Sequence, residues 1–314
     1  MVIKLNYFTK DKPYNSLNEY YKQKFNKKIA KISLNGNFTC PNRDGKKGFG
    51  GCTFCSNLGS GDLAGDKNKS FKEQFKDISK LMIKKWPNAS FIPYLQANSN
   101  TYKDIESLKR IYDECLEISD NIVGFDIATR GDCIDENIAK LLGEYNKKIP
   151  VTVELGLQTS NELTGQRINR LMTNKEFENA INLLRKYNIE IVVHIINGLP
   201  GETIDDMLNT IKYINKLDIQ GIKFHSLLLL KNTKMYEEYQ IKKFHILSLE
   251  EYVKITSLEI THLRDDIIIH RLAADGVVDD LVMPKWTIKK LVVMNEIDKY
   301  LRYNKLYQGM NYKK

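Results

Sequence analysis

The chain has 314 residues, a formal net charge of +9 and a hydrophobic content of 42%. That length and core fraction suit one large α/β domain with appendages, and exclude a disordered or fibrous chain. Five cysteines, an odd number without a regular framework, argue against a disulfide scaffold and for a reducing cytoplasm.

The first 29 residues form an N-terminal extension with one helix, opened by Ser16-x-x-Glu19. They show no cleavable leader. The longest apolar runs, near 191–196 and 227–230, are too short to span a bilayer, so no membrane partner is expected. A first strand is expected over 29–34. After it comes Cys40-Pro-Asn-Arg-Asp-Gly-Lys-Lys-Gly-Phe-Gly-Gly-Cys52-Thr-Phe-Cys55. Three thiolates in one glycine-rich loop suit three irons of a four-iron cluster, the fourth iron staying open for a small molecule. They also suit a zinc knuckle completed by a ligand from elsewhere, although no histidine lies in the loop.

Further β-rich runs follow at 91–97, 121–128, 150–157, 189–196 and 220–229, roughly 30–40 residues apart. Helical stripes fill the gaps. Phe71, Phe75, Ile78, Leu81, Met82 and Trp86 make one; Ile105, Leu108, Ile111, Tyr112 and Cys115 make the next. Ser70-x-x-Glu73, Thr173-x-x-Glu176 and Ser248-x-x-Glu251 read as capping boxes, and Thr203-x-x-Asp206 as a weaker relative. Strands alternating with helices imply a parallel sheet. Six such units are too few for a closed eight-fold barrel, so the expected fold is a six-stranded (β/α)6 partial TIM barrel over 30–230, active at the C-terminal ends of its strands. Residues 231–314 form a C-terminal α/β extension: a helix near 248–263, a strand at 266–272 and a last helix near 287–303.

Lysines and tyrosines interleave near both ends: Lys22, Lys24, Lys27, Lys28 and Lys31 with Tyr20 and Tyr21, then Lys285, Lys289, Lys290, Lys299, Arg302 and Lys305 with Trp286, Tyr300, Tyr303 and Tyr307. Such a composition suits RNA, whose bases stack and whose phosphates pair, and equally suits ordinary amphipathic helices. Cys115, on an apolar stripe, and Cys133 read as packing residues, as does His225. Arg271 and Asp275, after the extra strand, are exposed candidates without a role.

The cysteine loop after a first strand, with Phe54 before the last cysteine, resembles the radical S-adenosylmethionine (SAM) superfamily. The usual spacing there is Cys-x3-Cys-x2-Cys; here the first gap is eleven residues, as in variant branches. Gln96-Ala97-Asn98-Ser99-Asn100-Thr101-Tyr102 stands where the family has a Gly-Gly-type motif that meets the SAM amino group, but lacks glycine. Thr129-Arg130-Gly131-Asp132 is similar to a motif in relatives of the Elongator catalytic subunit. Val153-Glu154-Leu155-Gly156-Leu157-Gln158-Thr159 matches the family's Val-Glu-Leu-Gly-Val-Gln-Ser, and Gly198-Leu199-Pro200-Gly201-Glu202-Thr203 its fifth loop. Arg170 follows Gln158 by twelve residues, a spacing that resembles oxygen-independent coproporphyrinogen dehydrogenase. Tyr14-Asn15-Ser16, Cys40-Pro41-Asn42-Arg43-Asp44-Gly45 and Gly50-Gly51-Cys52-Thr53-Phe54-Cys55 look like the YhcC/YtqA-like branch.

The resemblance implies a [4Fe–4S] cluster on Cys40, Cys52 and Cys55, and SAM chelated at the open iron by its amino and carboxylate groups. It implies SAM contacts from Phe54, Gln96, Asn98, Glu154 and His194, from Gln158 to the ribose and from Arg170 to the carboxylate. One electron, from a donor such as flavodoxin or ferredoxin, would cleave SAM to methionine and a 5′-deoxyadenosyl radical. The branch points to tRNA as substrate, at the C5 side chain of a wobble uridine. A radical SAM enzyme acting on a small molecule and a zinc-stabilised RNA-binding module are the alternatives.

Overall fold

A computed structural model describes residues 7–59, 61–274 and 278–313. Asp275 and the side chain of Leu81 lie outside the described residues. All six expected strands form: β1 (Ile29–Leu34), β2 (Ser90–Leu95), β3 (Phe125–Thr129), β4 (Val151–Gln158), β5 (Glu190–Asn197) and β6 (Gly221–Ser226). Each pairs in parallel with the next. The sheet has a seventh member. β8 (Ile268–Arg271) pairs in parallel with β6, giving the order β1-β2-β3-β4-β5-β6-β8. The C-terminal segment therefore completes the sheet as well as packing on it.

Side chains alternate along these strands, as the pleat requires. Ile32, Ile127, Val153, Val193 and Phe224 face the helices and join the main core. Their neighbours Lys31, Asp126, Glu154, His194 and Lys223 are polar or charged, and contact one another on the opposite face. The helices α2 (Phe71–Lys85), α3 (Ile105–Leu116), α4 (Glu136–Asn146), α6 (Asn174–Arg185) and α7 (Ile204–Ile214) cover the apolar face with their stripes.

Ser70, Thr173, Thr203 and Ser248 all close full capping boxes, so the Thr203–Asp206 pair is stronger than its sequence suggests. Ser16 makes no side-chain cap on α1 (Leu17–Phe25). It bridges instead to Ile269 of β8, while Ile269 N–H donates to the Asn15 carbonyl at 2.7 Å. The two extensions meet there, and Asn15 N–H donates to Gln308 Oε1 at 2.8 Å. A short ribbon of β7 (Leu229–Leu230) and β9 (Leu281–Met283) lies beside the sheet. α8 (Lys234–Ile241), α9 (Leu249–His262) and α10 (Lys290–Tyr303) complete the chain. Among the described residues, no helix is long and apolar enough to cross a membrane.

The basic–aromatic expectation needs correction. Lys31 is inside the sheet's curve, salt-bridged to Asp126 and Glu154. Tyr20 donates to Glu190 at 3.1 Å, and Trp286 donates to the Leu247 carbonyl at 3.0 Å and stacks on Tyr252. These are packing roles. Tyr303, 90% exposed, and Tyr307 remain on the surface.

Candidate active site

A cavity of about 260 Å³ opens at the C-terminal ends of the strands. Cys40, Cys52, Cys55 and Phe54 form one wall. Gln96 and Asn98 follow β2, Glu154 and Gln158 lie on β4, and His194 lies on β5; all of them line the same cavity. Nine residues separated by some 150 positions in sequence thus meet around one space.

The cysteine loop is shaped by its glycines. Gly50 and Gly51, at φ +79° and +81°, turn the chain directly before Cys52, a conformation that L side chains rarely adopt. The loop is also held from outside. Thr53 N–H donates to the Ile168 carbonyl at 2.9 Å, and Asn169 Nδ2 donates to the Gly51 carbonyl at 2.8 Å. The Cys52 thiol lies against Cys55; the hydrogen bond between them and burial push it up, while Arg130 pulls it down. Asn98 and Gln158 both sit at positive φ, +61° and +65°, at the ends of their strands. Gly59 lets the chain pass Asn98, since a Cβ there would lie 1.9 Å from Asn98 Oδ1.

Beneath these groups runs a charged belt. Glu154 accepts from Lys31 at 3.0 Å, from His194 Nε2 at 2.8 Å and from Lys223. Burial opposes its charge, but Lys223, Lys31 and His194 together hold its carboxyl well below the usual range. His194 falls to about 4, through burial and then Lys223, and is neutral near pH 7. Because ionised Glu154 only accepts, His194 carries its proton on Nε2. Burial lowers Lys223 to about 7 despite Glu154.

Arg170 departs from expectation. It is 1% exposed and does not line the cavity. Nε donates to the Met172 carbonyl at 2.7 Å, and Nη1 to the Leu157 and Thr159 carbonyls at 2.9 and 2.6 Å. Nη2 reaches Glu162 at 3.0 Å and Asn174 at 3.3 Å. All five guanidinium donors are occupied by the protein, so Arg170 locks the turn after β4 and leaves nothing for a SAM carboxylate. Sequence reasoning assigned no site role to the cations that do line the cavity: Arg43, Arg130, Lys223 and Arg271, the last named only as an exposed candidate. A charged residue between apolar neighbours, as in Ile222-Lys223-Phe224, was the available signal.

Among the described residues, no three His, Cys, Asp or Glu side chains converge to hold a single metal ion. Three cysteines spread along a glycine-rich wall, with a roomy cavity in front, fit a larger cluster with one open position. Gln158, Asn98 and Glu154 present hydrogen-bonding side chains to the same cavity.

Comparison with known proteins agrees. The Radical SAM superfamily model matches residues 40–214, and the Radical_SAM C-terminal domain model matches 219–303. YtqA of Bacillus subtilis is 40% identical over 303 residues, covering 96% of this chain and 94% of YtqA. A tRNA-2-methylthio-N(6)-dimethylallyladenosine synthase of Sulfurihydrogenibium is 34% identical over 91 residues, covering 28% of this chain and 21% of the synthase. Among solved structures, Elp3 of Methanocaldococcus infernus superposes with a TM-score of 0.70 at 17% identity, over 90% of this chain and 64% of Elp3. The family uses a [4Fe–4S] cluster and SAM. With one domain model spanning the cysteine wall and a second spanning β6 and β8, the chain belongs to the radical SAM superfamily.

Proposed function

We propose that this radical SAM enzyme acts on a nucleoside of tRNA, at the C5 side chain of a wobble uridine, and holds its cluster through Cys40, Cys52 and Cys55. The observation that carries the RNA reading is the cysteine loop itself. It bears Phe49, 75% exposed, three residues from Lys46, and Lys234 lies beside Gly50, while Lys47 is paired with Asp132 and Glu176. An exposed ring amid cations suits a stacked base and its phosphates. The net charge of +9 and the partial likeness to a tRNA-modifying synthase support the same reading.

Bound together, cluster and SAM would supply one-electron chemistry that begins with removal of a hydrogen atom from substrate. The chain's own residues bind and orient. Gln158 faces the cavity from the end of β4 and offers both donor and acceptor to ribose hydroxyls. Asn98 gives its Nδ2 to the Phe38 carbonyl at 2.9 Å, which leaves its oxygen to accept from an ammonium group. The electron comes from a small donor such as flavodoxin or ferredoxin.

The test is nucleoside mass spectrometry of tRNA from a strain lacking the gene, with anaerobic SAM cleavage by the purified protein. Loss of one wobble-uridine modification, restored by the wild-type gene, is the expected result. Normal wobble uridines together with no binding of tRNA in vitro overturn the RNA reading in favour of a small-molecule substrate.

A further inference from the structure

The cavity has a second wall, opposite in sequence to the cysteine wall and contributed by residues 219–303. In register, His194 of β5 pairs with Lys223 of β6, Lys223 with Arg271 of β8, and Ile196 with His225. Lys223, His225 and Arg271 all line the cavity. None of the SAM contacts expected from the family motifs falls on this wall.

Three observations give the wall a chemistry. His225 Nε2 is buried without a hydrogen-bond partner, although the ring faces a cavity. An orphaned buried polar atom is expensive, and native structures satisfy nearly all of them. Lys223, 5% exposed, shares Glu154 Oε2 with His194 and rests 4.7 Å from the centre of the Tyr94 ring. Glu154 is also held by Lys31, so its charge is divided among several partners. Finally, the described residues lining the cavity include four cationic side chains, Arg43, Arg130, Lys223 and Arg271, against two carboxylates, Asp62 and Glu154. The field at His225 reflects this: besides burial, His194, Arg271 and Lys223 hold its ring neutral, and Glu154 opposes them only weakly.

We infer that Lys223 and His225 form an oxyanion subsite on the wall opposite the cysteines, which holds a carboxylate or phosphate group of the substrate. A neutral His225 donates one N–H to the oxyanion, and Lys223, whose ammonium form a neighbouring anion favours, supplies the charge-assisted contact. Lys223 reaches back to Glu154 and is 5% exposed, and His225 Nε2, two residues nearer the C-terminal ends of the strands, is buried. An RNA backbone phosphate at the surface does not reach it, so the group belongs to a small acid or to a nucleotide drawn into the cavity. The inference deepens the proposed function and rests on its placement of substrate in this cavity.

The test uses the cluster-loaded chain under anaerobic conditions, with acetate, inorganic phosphate and uridine 5′-monophosphate as probes against chloride at equal ionic strength. A bound oxyanion raises Tm by about 2 °C at tenfold excess over its Kd, for a chain of this size. Phosphate also stabilises through exclusion from the surface, so the wild-type shift is compared with that of variants. Lys223→Arg should keep the shift, whereas Lys223→Met and His225→Phe should lose most of it. His225→Phe preserves ring volume and guards against a folding failure in the lysine variant. Equal shifts in wild type and His225→Phe overturn the subsite. A shift with uridine monophosphate that tRNA competes away assigns the oxyanion to a nucleotide; a shift with acetate that tRNA leaves intact assigns it to a free acid. Binding of tRNA without any oxyanion shift sinks the subsite and spares the RNA reading. An oxyanion shift without tRNA binding does the reverse.

Discussion

The Asn42 amide donates to the Asn169 carbonyl at 2.5 Å, while the Asn169 amide donates to the Gly51 carbonyl at 2.8 Å. With the Thr53–Ile168 bond, the segment after β4 and the cysteine loop are tied at three points, and Arg130 Nη2, from the end of β3, holds the same segment at the Arg170 carbonyl at 2.9 Å. Arg170 fixes that turn from within. Replacing it by alanine leaves the carbonyls of Thr159 and Met172 without this donor, at about 1–3 kcal/mol each, while the Leu157 carbonyl keeps the Thr159 N–H. Arg170→Ala should therefore cost about 3–5 kcal/mol in urea unfolding, and cluster retention should fall with it. A variant of unchanged stability with weakened SAM binding would restore the carboxylate role implied by the family spacing.

Cys40→Ala, Cys52→Ala and Cys55→Ala should each abolish the charge-transfer absorption of the reconstituted protein, which in the wild type should carry about four irons per chain. Cys115 and Cys133 are buried, and burial pushes both thiols up, Cys133 to about 12. Neither lines the cavity with the three loop cysteines, so Cys115→Ser and Cys133→Ser should keep full iron content. Loss of iron in Cys133→Ser breaks the three-ligand assignment.

Periodicity made the sheet legible. Strands with apolar neighbours on every second residue, spaced by capped helices, leave few topologies open. Register with β8 was not legible, because a four-residue strand after a long helix carries no sign of which edge it joins. The nine cavity residues were legible from motif order. Arg170 was not: an arginine after β4 reads the same whether its donors meet a ligand or three carbonyls. Lys31 looked like part of a basic surface because the charge run around it hides its place on β1, where alternation turns it inward.

The rim predicts how tRNA binding divides. Phosphate contacts release counterions, so affinity should fall steeply as salt rises. Phe49→Ala removes one stacking ring, worth about 1–3 kcal/mol, and should weaken tRNA binding about tenfold or more with little change in salt dependence. Phe49→Trp should retain it. Lys285, Lys289 and Lys290 changed together to Glu should instead flatten the salt dependence, while SAM cleavage without substrate stays at the wild-type rate. Filter binding over a salt series separates the two effects; identical curves for all four proteins would place tRNA elsewhere or nowhere.

Glu202 gives the fold a pH dependence of defined sign. Burial raises its carboxyl to about 7, although the Thr159 hydroxyl donates to it at 2.5 Å. The unfolded chain releases that proton near 4.3–4.5. Between these values the folded state holds a proton that the unfolded state has lost, so folding takes up a proton and stability falls as pH rises. The contribution is complete below about 4.5 and gone above about 7. Its size is at most about 2–3 kcal/mol, since the group is not fully buried. Glu202→Gln keeps an acceptor for Thr159 and cannot ionise. Unfolding midpoints measured from pH 4.5 to 7.5 should therefore drop in the wild type and drop less in the variant. Parallel curves would mean that Glu202 is already ionised in the folded chain at pH 5. The nearby Glu259 carboxyl, pushed well up by burial, is present in both proteins. Glu202 itself adds to that upward push, so the difference between the two curves reports Glu202 together with its effect on Glu259.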